Sequence, residues 1–241
     1  MMENLLLKAV FATCLVIAGY VFYYFLSESA KISTRFSERY SFEQSEIYRF
    51  LFQKLTGFLF LGVIPFFLFF RFFALTKEGS FPGYFPEWKT DTLLAVLHLC
   101  VVILAFLSAR KAEVHTVVPG MRLSSWKPVH VLVSLLGWGI YLLAYEYIFR
   151  EILLFAWAEA AGIFPAIMVN VVIYAIFHLH KGKLETLGSI PFGIILCLIS
   201  LNAGSFLPAL MLHFTLAAST EVFSIYHNPA MYFNFKPAKD E

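Results

Sequence analysis

The chain has 241 residues, of which 60% are hydrophobic and only 14% charged, against roughly 45–50% and about 25% in a soluble domain. No aqueous core of a chain this size hides that much apolar surface, which excludes an ordinary soluble fold and points to a polytopic membrane protein. The formal net charge of +2 gives no electrostatic footprint for nucleic acid.

The expected fold is all-α, a transmembrane bundle of seven to eight spans. Residues 5–26 are the first candidate. They are too long for the apolar core of a signal peptide and lack a clean small-x-small site, so they read as a retained span. The runs 48–75 and 92–109 follow, separated by a loop signalled by Pro82, Gly83 and Pro86. The run 128–161 is too long for one ordinary crossing: it would extend about 50 Å across a hydrocarbon core of about 30 Å. A break is expected at Gly137-Trp138-Gly139, with an interfacial or re-entrant piece before it and a true span after it. Gly162 and Pro165 then signal a sharp hairpin. The runs 164–180, 186–201 and 206–226 complete the set. Cys14, Cys100 and Cys197 lie apart within apolar runs and form neither a CxxC pair nor a zinc pattern.

By content the chain divides into residues 1–115, with no recognised motif, residues 116–230, which carry the chemistry, and a short polar tail, 231–241. With seven spans, Lys31, Arg35, Arg39, Arg110, Lys111, Arg122, Lys127, Lys181, Lys183, Lys236 and Lys239 fall on one side. Only Lys8, Lys77 and Lys89 fall on the other. The positive-inside rule then puts the N-terminus outside and the C-terminus in the cytoplasm.

Ionisable groups at membrane depth are costly, so each one is a functional candidate. Glu146 and Arg150, four apart, share a helix face and can pair. A neutralising pair is the structural alternative. Asn170, Tyr174 and His178 form a stripe at helical spacing. Interhelical hydrogen bonding would also account for that stripe. His213 stands in the last apolar run, with Thr220, Glu221 and Ser224 further along. Glu146 lies sixteen residues before Gly162 and His178 sixteen after it, so a reversal there sets them level on antiparallel helices. A carboxylate and an imidazole at one depth can share a water, the minimum apparatus for general-base hydrolysis. The depth of His213 fits less neatly. A transporter fits poorly, because the polar groups occupy one half of the chain and no repeat is visible.

Three strings in this order resemble the CAAX-protease and bacteriocin-processing (CPBP) intramembrane peptidases, relatives of the type II CAAX prenyl endopeptidases. They are Tyr145-Glu146-Tyr147-Ile148-Phe149-Arg150-Glu151, Tyr174-Ala175-Ile176-Phe177-His178, and His213-Phe214-Thr215-Leu216-Ala217. The resemblance spans about residues 128–226 and implies an intramembrane endopeptidase of a bacterial cytoplasmic membrane. Its implied catalytic residues are Glu146, Arg150, His178 and His213. Glu146 would be the general base, aided by His178 and held ionised by Arg150, and His213 would polarise the scissile carbonyl. Tyr174 and Asn170 are the expected substrate-binding residues. The partners are a membrane-anchored peptide or protein substrate and the lipid bilayer. No cofactor is required. A divalent metal held by Glu146, His178 and His213 stays open, though there is no HExxH pair. Two positions depart from the family pattern: its first motif glutamate is Tyr145 here, and its third-motif asparagine is Ala217. These losses motivate an alternative, a catalytically impaired relative that binds or stabilises a membrane partner. Glu151 is a further candidate base.

Overall fold

The computed structural model describes residues 2–73 and 87–235. Pro82, Gly83, Pro86, Lys77, Lys236 and Lys239, together with the side chain of Lys89, lie outside the described residues. The fold is an all-α bundle. Among the described residues, seven helices are long and apolar enough to cross a membrane. They are α1 (Met2–Ser27), α3 (Phe42–Phe72), α4 (Glu87–Ser108), α5 (Pro128–Ala161), α6 (Ile163–Lys181), α7 (Lys183–Ala203) and α8 (Leu207–His227). An additional amphipathic helix, α2 (Ala30–Arg39), links the first two spans and buries none of its side chains. The second span begins at Phe42, earlier than its apolar run. There Ser41 Oγ accepts from the Gln44 N–H at 3.4 Å and Gln44 Oε1 accepts from the Ser41 N–H at 3.4 Å, a capping box. A wider turn at Leu59–Val63 absorbs Pro65, whose ring and missing N–H disturb the turn before it.

The run 128–161 corrects the sequence reading. It is one continuous 34-residue helix, without the break expected at Gly137-Trp138-Gly139. Gly137 serves packing instead of a break: a Cβ there would lie 2.5 Å from the Phe50 ring of α3. Small residues let membrane helices approach closely, and that use of glycine looks in sequence like a kink. The excess length falls in a polar layer at the start of α5, where His130 Nε2 lies 3.1 Å from Glu43 Oε1. The irregularity of α5 sits elsewhere, in a segment of wide π-type turns at Tyr147–Leu153.

The hairpin forms as the glycine and proline predict, with Gly162 at φ 89° between α5 and α6. Near that end Lys8 of α1 bonds Glu159 of α5 at 2.7 Å. Helix α5 is central and packs on α1, α3, α6 and α8, while α4 lies along α8 and α7 along α6. Beyond α8 the chain returns to the start of α5. There Tyr232–Phe233 (β2) pairs in parallel with Ser125–Trp126 (β1). The helices of residues 1–115 are thus packed into one bundle with the motif-bearing helices. The core around Tyr145, Phe149, Tyr174 and Phe177 includes Ala12, Val16 and Leu61 from α1 and α3.

Candidate active site

The site is built around the wide turns of α5. Glu146 ends the regular part of the helix and Arg150 sits within the π-type segment. Such segments are frequent at functional sites, where they re-aim side chains without breaking the helix. Arg150 Nε lies 3.3 Å from Glu146 Oε2, and both side chains are fully buried. The guanidinium carbon also stands 4.8 Å from the Tyr174 ring centroid and 5.3 Å from that of Phe149. A buried carboxylate needs such a partner, since desolvation costs several kcal/mol per unpaired ion.

The second oxygen of Glu146 is held from α8. His213 Nδ1 lies 2.5 Å from Glu146 Oε1. An ionised carboxylate only accepts hydrogen bonds, so Nδ1 carries the proton of this contact. In the neutral imidazole, Nε2 is then the lone-pair nitrogen. The His213 ring stacks edge-on against Tyr145, Tyr174 and Phe192, with centroids 6.1, 6.3 and 5.4 Å away. The residue whose depth fitted least well in sequence is therefore the direct partner of Glu146.

His178 is placed differently. Its Nδ1 lies 2.8 Å from the Tyr174 carbonyl oxygen one helical turn back. Its ring is 4.5 Å from that of Tyr174, which makes Tyr174 a neighbour of both histidines. No hydrogen bond joins His178 to Glu146. The structure brings together Glu146, Arg150 and His213, with His178 across the Tyr174 ring.

Two cavities meet these histidines. The larger, about 520 Å³, is mainly apolar and runs between α4, α7 and α8; its wall includes Tyr174, His178, Phe192, His213 and Ala217. The smaller, about 370 Å³, is more polar and runs between α1, α3 and α5; its wall includes Tyr145, His178 and His213. Glu146 and Arg150 line neither, so Glu146 reaches the cavities only through His213. The Tyr145 hydroxyl is buried and has no hydrogen-bond partner among the described residues, although its residue lines the smaller cavity. A buried donor left free beside an imidazole is available to a bound oxygen.

Asn170, expected to bind substrate, lines neither cavity. It is fully buried, its Nδ2 donates to the Phe149 carbonyl at 2.6 Å and its Oδ1 accepts from Cys197 Sγ at 3.4 Å. It ties α6 to the wide turns of α5. Glu151 accepts from the Phe206 N–H at 3.4 Å, at the start of α8, away from both histidines. Among the described residues no group of three or more His, Cys, Asp or Glu side chains is disposed to hold a metal ion; Glu146, His178 and His213 do not converge.

Two buried residues had no role in the sequence reading: Glu221, noted there only as lying further along the last apolar run, and Lys54, not noted at all. Glu221 accepts from Ser134 Oγ at 2.6 Å, from the Gly120 N–H at 3.1 Å and from Trp138 Nε1 at 3.3 Å. Lys54, with 7% exposure, lies over the Trp138 ring with its Nζ 3.0 Å from the centroid. A lysine inside an apolar run was the signal for it.

The strings carrying Glu146, His178 and His213 all fall within the segment that comparison with known families picks out. Residues 124–219 match the family described as type II CAAX prenyl endopeptidase Rce1-like. The match agrees with the CPBP resemblance read from the three strings. It starts at β1, runs through α5, α6 and α7, and ends just beyond His213. The matched segment thus contains Glu146, Arg150, His178 and His213. Helices α1 and α3, which line the smaller cavity, and α4, which lines the larger, lie outside the match. Neither curated proteins nor solved structures gave a match.

Proposed function

We propose that the protein is an intramembrane endopeptidase that hydrolyses a peptide bond of a membrane-anchored substrate with a water activated by Glu146 and His213. The observation that carries this is the 2.5 Å contact between His213 Nδ1 and the buried carboxylate of Glu146, at the junction of two cavities. With Nδ1–H held by Glu146, Nε2 takes a proton from water as the oxygen attacks the carbonyl carbon. The resulting imidazolium is stabilised by Glu146, whose charge Arg150 balances. Nε2 then returns the proton to the leaving amine. The free hydroxyl of Tyr145 donates to the oxyanion, filling the part that Ala217 has no donor for. His178 lies in the walls of both cavities and orients the water or the substrate.

The mainly apolar cavity suits the apolar part of a membrane-embedded substrate, and the polar one suits the peptide. Both reach the end of the bundle that carries Lys181 and Arg122. On the basic-residue rule that end is cytoplasmic, with the N-terminus outside. If a metal serves the reaction, His178 and His213 are the cavity-facing donors for it.

The test is cleavage of a membrane-anchored reporter by the parent and by His213→Gln and His178→Gln. His213→Gln is expected to lose activity about 10³-fold or more, and His178→Gln less. Equal cleavage by parent and His213→Gln removes the proposed base. The second reading, an impaired relative that binds a membrane partner, rests on Tyr145 and Ala217 standing where the family has glutamate and asparagine. Cleavage seen only after Tyr145→Glu and Ala217→Asn favours it.

A further inference from the structure

The smaller cavity has an end that hydrolysis does not use. Its wall carries Arg49, Lys54, Arg122 and Lys181 against Glu28 and Glu185. Three of the four cations are engaged. Arg49 pairs with Glu46 at 3.1 Å and Lys181 with Glu185 at 3.8 Å. The Arg122 guanidinium donates to the carbonyls of His115 and Thr116. Lys54 makes no hydrogen bond or ion pair within 4.0 Å among the described residues, although it is more than nine-tenths buried. Its ammonium rests among the rings of Trp138, Tyr141 and Phe50, 3.0, 4.9 and 5.1 Å from their centroids. Glu221 attracts it electrostatically but forms no ion pair with it within 4.0 Å, its carboxylate accepting from Ser134, Gly120 and Trp138. Rings soften the burial of an ammonium but satisfy none of its three N–H donors. An anion entering the cavity would do so.

A run of rings joins Lys54 to the catalytic pair. Trp138, Tyr141 and Tyr145 follow one another at 6.0 and 5.7 Å, and Tyr145 is 6.1 Å from His213. Seven residues separate Trp138 from Tyr145, about 10 Å along the helix, which is the reach of a short extended peptide. We propose that Lys54 is a specificity-determining residue that binds the free C-terminal carboxylate of the substrate peptide, whose scissile bond lies at His213. This deepens the peptidase reading and rests on it. Lys54 lies on α3, outside the family-matched segment.

The experiment pairs two lipid-anchored peptides of one sequence in vesicles, one ending in a free acid and one in an amide. The parent is expected to favour the acid, through KM. Lys54→Met is expected to lower kcat/KM for the acid by roughly ten- to hundredfold. It should leave the amide within about twofold, and Lys54→Arg should keep most of the preference. Equal cleavage of acid and amide by the parent overturns the proposal. So does a loss in Lys54→Met that is the same for both peptides, which marks a lysine that serves only Glu221. Binding of the same peptides to Glu146→Gln protein separates this from the peptidase reading. Acid-selective binding that Lys54→Met abolishes supports the anchor even if no variant cleaves. Equal binding of both peptides overturns it.

Discussion

Glu146 has no exposed surface, yet each of its oxygens faces a group of opposite or donating character: Arg150 on Oε2 and His213 on Oε1. That division sets what each substitution should do. Arg150→Met leaves the buried carboxylate without its counter-ion, and is expected to lower stability by about 3–5 kcal/mol in thermal or denaturant unfolding of the detergent-solubilised protein. Arg150→Lys should recover only part, because a compact ammonium cannot also lie across the Tyr174 and Phe149 rings as a planar guanidinium does. Tyr145→Phe removes one hydroxyl and no packing. If that hydroxyl meets the oxyanion, kcat falls about 10²-fold with KM nearly unchanged, and steady-state kinetics on the reporter measures both. The Glu146–Arg150 pair was legible from four-residue spacing. The Glu146–His213 contact was not, because counting from one hairpin fixes the relative depth of α5 and α6 alone. One further helix, α7, with its own tilt and a loop at its end, intervenes before the helix that carries His213.

At the level of elements, the apolar runs gave all seven spans because bilayer thickness imposes length on each of them. The error lay in reading Gly137 as a break. Glycine in a membrane helix marks either a kink or a close approach, and only the partner helix decides between them. Gly62 is a second case: a Cβ there would lie 2.7 Å from the Ala144 Cβ. Gly62→Val should therefore push α3 from α5, lowering stability by about 1–3 kcal/mol, with activity lost alongside because the site lies just beyond. Asn170 illustrates the opposite ambiguity. Its place in a polar stripe suggested substrate contact, whereas its amide bonds the Phe149 carbonyl in the wide turns. Asn170→Leu is expected to lower the unfolding midpoint, by about 1–3 kcal/mol of stability, while KM stays near the parental value. A KM effect without destabilisation would return Asn170 to the substrate. Helix α2 was missed because its residues are too polar for a span and its helical signal is amphipathicity alone.

For the whole molecule, the polar groups that carry chemistry gather toward one end of the bundle, and the hairpin at Gly162 marks the other. Seven spans, the number found among the described residues, would put the two termini on opposite sides. Cysteine labelling at introduced surface positions in intact cells should protect residues beside Lys31 and Lys127 and expose those beside Gly162, and the reverse pattern would invert the bundle. The central claim is that the buried Glu146–His213 pair activates water. It is tested most directly with purified protein in vesicles carrying a fluorogenic membrane-anchored peptide, comparing the parent with Glu146→Gln. That substitution keeps the size and one acceptor oxygen for His213 but removes the charge that stabilises the imidazolium. The expected result is cleavage by the parent and a loss of about 10³-fold or more in Glu146→Gln at equal folded protein. Equal rates for the two proteins would contradict it.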